Sequence, residues 1–157
     1  MKRNVCLVAV ALWVVLLVVT GWFFVKGWTT KGSDGRTEIL LAPVERDLIL
    51  AEMRQLLKAV QAVVTGVAGP DQPADRQQIE QAARAAGMGM AVDVNPAIMA
   101  KLPLPFKQMG MSIHHDMDGL ADAIIQKESS QQILQRLSSM TARCTTCHDL
   151  YRFGVGQ

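Results

Sequence analysis

Residues 129–152 read SSQQILQRLSSMTARCTTCHDLYR, and this stretch decides the reading of the whole chain. Ile133, Leu137, Met140, Cys144, Cys147 and Tyr151 recur at intervals of three and four, the spacing that gathers side chains on one face of an α-helix. Ser129 or Ser130 supplies the N-cap, because a hydroxyl just before the first turn accepts from an amide that the helix leaves without a partner. Both cysteines therefore face a core, carried by a helix whose stripe runs through to Tyr151.

Three further segments keep the same period. From Pro43 to Gly66 the stripe is Leu50, Met53, Leu57, Val60 and Val64, widened by Ile49, Leu56 and Val63, until Gly66, Gly69, Pro70 and Pro73 break it. A second helix is expected from about Ala74 to Met90, with Ile79, Ala82, Ala83 and Ala86 on one side. Asn95-Pro96 opens a short helical turn up to Lys101, and Pro103 and Pro105 begin a third long helix reaching about Lys127 over Met109, Ile113, Met117, Leu120 and Ile124. With no strand pattern and no internal repeat, the expected fold is all-α: an antiparallel, up-and-down four-helix bundle over residues 43–157.

The beginning of the chain is different in kind. Val5 to Val25 is an unbroken apolar run, long enough as a helix to cross a hydrocarbon layer of about 30 Å. Lys2 and Arg3 precede it and Trp22, Phe23, Phe24 and Trp28 cluster at its exit, so the positive-inside rule predicts a transmembrane anchor at 1–26 with everything after it across the membrane. A cleaved signal peptide is the competing reading, but its apolar region is shorter and Thr20-Gly21-Trp22 is a poor cleavage site. Residues 27–42, polar and holding Gly27, Gly32, Ser33 and Gly35, read as a flexible tether.

Composition narrows the function. Half of the residues are apolar and only 5% aromatic, with a formal charge of +2. That charge, scattered rather than clustered, disfavours nucleic acid as a partner. Three cysteines cannot form a disulfide framework, and Cys6 at the head of the apolar run reads as a small buried thiol. Asp116, Asp118 and Asp122 near His114 and His115 read as the solvated face of the third helix, so no catalytic residue is expected and the chain is not read as an enzyme.

Cys144-Thr145-Thr146-Cys147-His148 is the attachment pattern for c-type haem, in which two thiols add across the vinyl groups and the adjacent imidazole supplies an axial iron ligand. On a helix, positions 144, 147 and 148 share a face, so both sulfurs reach one porphyrin edge while the imidazole lies under the metal. Zinc wants four ligands, and the remaining histidines, His114 and His115, are neighbours that point apart on a helix. A thioredoxin-like site needs a βαβ setting that the pattern does not offer.

With Tyr151 and Arg152 following, the motif near the C-terminus resembles the cytochrome c-prime family of class II c-type cytochromes, over about residues 43–153. The resemblance implies a four-helix bundle with one covalent haem between its first and last helices. It makes Cys144 and Cys147 the thioether attachments, His148 the proximal ligand, and Tyr151 and Arg152 neighbours of the haem. It also implies a distal residue on the first helix a few positions after an arginine. Arg46 followed by Leu50 fits an apolar cover over an open iron site, whereas Met53, one turn on, fits a thioether ligand as in the low-spin relatives, and His114 is a third candidate. The anchor departs from the usual soluble members.

The expected protein is therefore a single-pass inner-membrane cytochrome with its haem domain in the periplasm, carrying electrons to or from membrane-bound or periplasmic redox proteins. The alternatives are a five-coordinate module binding or sensing nitric oxide or carbon monoxide behind Leu50, and a structural subunit of a respiratory assembly. A homodimer through the first two helices is compatible with the small residues of the second.

Overall fold

The computed structural model describes residues 2–69, 73–92 and 95–155. Helix α1 (Lys2–Lys26) is the apolar segment. Its stretch Cys6–Lys26 is long and apolar enough to cross a membrane, and its side chains are exposed. The remainder is mostly helical, with four long helices: α2 (Pro43–Ala68), α3 (Pro73–Ala85), α6 (Leu104–Ile125) and α7 (Ser130–Leu150). The short α4 (Met88–Val92) and α5 (Pro96–Lys101) lie between α3 and α6. Helix α2 packs on α3 and α7, and α6 packs on the same two.

Side-chain caps fix the starts of α5 and α7. Ser129 starts α7 with a capping box: Gln132 N donates to Ser129 Oγ at 3.4 Å and Ser129 N donates to Gln132 Oε1 at 3.0 Å. Asn95 Oδ1 accepts from Ala97 N at 2.9 Å to start α5, with Pro96 in the first turn where its missing N–H costs nothing. The stripe of α6 buries Ile113, Met117, Leu120 and Ile124 against Val63 of α2, Ile79 and Ala83 of α3, and Ile133, Leu137 and Met140 of α7. Close approach of α2 to α3 depends on Gly66, where a β-carbon would overlap the side chain of Ile79.

Several expectations need correcting. Residues 27–42 are not a flexible tether: β1 (Thr29–Lys31) and β2 (Thr37–Leu41) form an antiparallel hairpin, and β3 (Tyr151–Val155) pairs with β2 in parallel to complete a sheet of order β1-β2-β3. The fold is therefore helical with a small sheet and not all-α. Ile39 and Leu41 are fully buried in that sheet, which replaces solvated linker by core. The last helix ends at Leu150, so Tyr151 and Arg152 lie on a strand and not on the helical stripe.

The second helix does not run to Met90. It stops at Ala85, and Gly87 sits so close to Asp118 of α6 that a β-carbon would collide with the carboxylate. Asp118 Oδ2 there accepts from Met88 N at 2.9 Å and Arg84 donates to Asp118 Oδ1 at 3.3 Å, so the break is held open by α6. Pro70, expected to help end the first helix, lies outside the described residues.

His114 of α6 is buried at 3% exposure inside this framework. Its Nδ1 donates to Ala86 O at 2.8 Å and its Nε2 to Glu52 Oε1 at 2.8 Å. Burial alone would favour the neutral ring, but the Glu52 carboxylate and the Ala86 carbonyl outweigh it, and the pKa is raised. A ring held by two acceptors is the imidazolium, with no free nitrogen to bind a metal. Because the folded value lies above the unfolded one, the pair stabilises the fold fully below the ordinary imidazole range and the contribution is lost as pH rises through the folded pKa. In detergent, unfolding stability should fall by roughly 1 kcal/mol between mildly acidic and alkaline pH. His114→Gln should remove that slope, and a slope unchanged in the variant would exclude the pair as its source.

Candidate functional site

The sheet fixes where α7 ends, and a cleft opens there. A cavity of about 320 Å³ is lined by Leu50 and Met53 of α2, Cys147 and His148 of α7, Tyr151, Arg152 and Phe153 of β3, and Phe106 of α6, together with Arg36 and Arg46. The pairing of Thr37 with Tyr151 and of Leu41 with Val155 brings the chain back along β2, so the last turn of α7 faces the first turns of α2. Phe106 stacks edge-on against both Tyr151 and Phe153, at 5.4 and 5.8 Å between ring centroids, which walls one side of the cleft with aromatic carbon.

Of the residues picked out in the sequence, Leu50, Met53, Cys147, His148, Tyr151 and Arg152 meet in this one cavity. Cys144 does not line it. One turn back on α7, it packs half-buried, together with Leu56 and Val60 of α2, against the core formed around the stripe of α6. Both thiols thus lie on the side of α7 that meets α2, and Met53, Leu56, Val60 and Cys144 are only partly covered along the seam between the two helices. His114 is elsewhere, committed to Glu52 and Ala86.

Burial sets the chemistry of the thiols. Desolvation, and then the neighbouring Cys144, push the Cys147 thiol up to about 11; burial also raises Cys144. Neither is an activated nucleophile. Tyr151 is raised by burial and by Cys147. Three arginines line the opening, and each is paired with a carboxylate. Arg36 donates through Nη1 to the His148 carbonyl at 3.0 Å and through Nη2 to Asp34 Oδ2 at 2.7 Å, and the Arg36 hydrogen bonds lower the Asp34 carboxyl to about 2. Arg152 pairs with Glu38 at 2.9 Å and Asp34 at 3.4 Å. Arg46 Nε is buried and has no hydrogen-bond partner, a donor that costs free energy until an acceptor meets it.

These features fit a porphyrin more closely than they fit a metal ion alone. Among the described residues, no three His, Cys, Asp or Glu side chains converge to hold an ion. The cleft offers instead an apolar slot between two helices, a partly open seam running on past Cys144, and an unpartnered guanidinium N–H suited to a propionate. A larger groove of about 590 Å³ between α6 and α7 is lined by His115, Asp116, Glu128, Arg136 and Arg143. Its charges pair, Arg136 with Glu128 at 2.6 Å and Arg143 with Asp116, while Arg143 Nε is buried with no hydrogen-bond partner.

Arg36, Phe106 and Phe153 are the members of the site that periodicity alone missed. Arg36 lay inside the supposed tether, yet Asp34-Gly35 followed by Thr37-Glu38-Ile39-Leu40-Leu41 carries the turn-and-strand signature of a hairpin. Gly35 takes φ +90° in that turn, a conformation that glycine adopts without strain.

No family model, no curated protein and no solved structure matches the chain, so the site is read from its own geometry. In the unloaded chain, mass spectrometry of alkylated peptides at pH 8 should find Cys144 modified about tenfold faster than Cys147. Equal rates would mean that Cys147 is no more buried than Cys144.

Proposed function

We propose that the chain is a membrane-anchored monohaem c-type cytochrome that carries electrons. The observation that carries this reading is the gathering of Cys147 and His148 with Leu50, Met53, Tyr151, Arg152 and Arg46, whose buried Nε has no hydrogen-bond partner, around one slot beside Cys144. Cys144 and Cys147 would hold a haem by thioether bonds and His148 would be its axial imidazole; bound there, the group supplies one-electron exchange. The mutual packing of α2, α3, α6 and α7 supports a four-helix bundle of the cytochrome c-prime kind, modified by the added sheet.

The chain's own residues do the rest. Arg36 grips the His148 carbonyl and so fixes the last turn of α7. Phe106, Tyr151 and Phe153 exclude water from one wall of the slot. Arg46 and Arg152 offer positive charge to carboxylates at its opening. On α2, Met53 lies in the slot with a thioether sulfur, and six-coordinate His/Met ligation would limit rearrangement between oxidation states. Lys2 and Arg3 in the first turn of α1 favour a topology with this domain on the periplasmic side of a bacterial inner membrane, where covalent haem is attached and membrane-bound redox partners are at hand.

A second reading has an observation of its own: Leu50 lines the same slot as Met53 and can cover an open position for nitric oxide or carbon monoxide. The reduced spectrum separates the two. Matured protein, denatured and extracted with acid acetone, should keep its colour and the mass of one porphyrin, and a colourless chain of unmodified mass would refute haem altogether. Wild type should show sharp low-spin bands unchanged by carbon monoxide, whereas Met53→Ala should become high-spin and bind the gas. Gas binding by the wild type would favour the Leu50 reading.

A further inference from the structure

We infer that the domain does not swing beneath its anchor but is seated on the bilayer, on a surface made by the exit of α1 and the exposed side chains of Trp28, Val44, Leu48 and Val155. This rests on α1 crossing the membrane, and on no property of a haem.

The junction leaves no hinge. Gly27 has φ +65°, and a β-carbon there would come 2.6 Å from Pro103 N and 2.7 Å from Leu102 C, so the chain leaves α1 pressed against backbone that no side chain could share. Trp28 N then donates to Lys101 O at 2.8 Å, and Leu40 N donates to Trp28 O at 2.8 Å. Thus the residue after Gly27 is already tied to both α5 and the sheet. On the α1 side, Lys107 of α6 donates through Nζ to Phe24 O at 3.2 Å and lies 3.8 Å from the Phe24 ring centroid. A cation is well placed on the otherwise unpaired carbonyls that end a helix. Contacts on both sides of Gly27 couple the direction of α1 to the domain.

The same contacts say which end faces the membrane. Helix α6 begins against α1 and runs away from it, α2 begins at the end of β2 beside Lys101 through the Glu45–Lys101 pair at 2.6 Å, and β3 ends at Val155 opposite Leu41. Phe106, in the wall of the cleft, is the residue before Lys107. At this end Trp28, Val44, Leu48 and Val155 are 55, 67, 55 and 54% exposed. Lys101 Nζ stands 5.5 Å from the Trp28 ring and Lys26 Nζ 5.6 Å from the Trp22 ring. Indole rings with ammonium groups beside them suit the headgroup layer, where aromatic carbon and positive charge are both accommodated. Continuity with α1 makes the occupant of this surface the lipid of the same bilayer.

The test uses the full chain in vesicles of phosphatidylcholine and phosphatidylglycerol, with photoreactive p-benzoylphenylalanine in place of Val44 or, at the far end of the domain, in place of Leu134. After illumination, lipid adducts should be at least about tenfold more abundant at position 44, and a flexible insert of about twelve Gly and Ser residues after Lys26 should reduce them several-fold. Equal adducts at 44 and 134 would overturn the seating, and adducts indifferent to the insert would overturn the clamp at Gly27. Extraction at alkaline pH separates these outcomes from failure of the anchor: a chain that washes off the vesicles does not cross them, whereas one that stays but gives no adduct at 44 is anchored and unseated.

Discussion

Parallel pairing of Thr37–Leu41 with Tyr151–Val155 is the constraint on which the cleft depends. It joins segments from opposite ends of the domain, buries Ile39 and Leu41 completely, and obliges α7 to stop where its cysteines have just turned toward α2. Burying two such side chains contributes about 1.5–3 kcal/mol each before entropy is counted, and each backbone hydrogen bond about 1 kcal/mol more. Without that return strand, Tyr151, Arg152 and Phe153 would lie on successive sides of a fraying helix, and the slot would lack a wall. Arg36 adds the finishing contact, because it reaches from the hairpin to the His148 carbonyl that the helix itself leaves open.

The polar groups around the cleft form a shared arrangement and not a set of isolated pairs. Asp34 serves both Arg36 and Arg152, and Glu38 serves Arg152 again, so the hairpin turn and the return strand are held by one set of charges. Exposed pairs of this kind add little stability one by one. Their effect here is positional: they orient two guanidinium groups beside the slot and leave the third, on Arg46, with a buried nitrogen still to be satisfied.

How much of this could be read in the sequence follows from which physical rule each part obeys. The long helices were legible because Met117, Leu120 and Ile124, or Ile133, Leu137 and Met140, repeat with the helical period and end up in one core. Most of the cleft was legible because Cys147 and His148 were singled out by the attachment motif and Leu50 and Met53 by the family resemblance, and the fold brings them together. The sheet was not, because its strands are three to five residues long, too short for alternation to stand out beside three glycines. Tyr151 fits the helical spacing as well as it fits a strand, and only the distant partner Thr37 decides between them. The break at Gly87 and the fate of His114 likewise depend on Asp118 and Glu52, contacts across the fold that no local pattern encodes.

The turn between α6 and α7 has a bearing on the order of events during folding. Lys127 takes φ +59°, Ser129 caps α7, and Arg136 reaches back to Glu128 at 2.6 Å, so the turn itself is held by neighbours in sequence. Such local contacts close small loops and form early, whereas β3 must find a strand more than a hundred positions away and closes a large one. By contact order alone the helical hairpin is the faster part to form, and it carries both thiols on α7. Access for a bulky group is widest before Tyr151–Val155 zips onto β2, and narrows when it does.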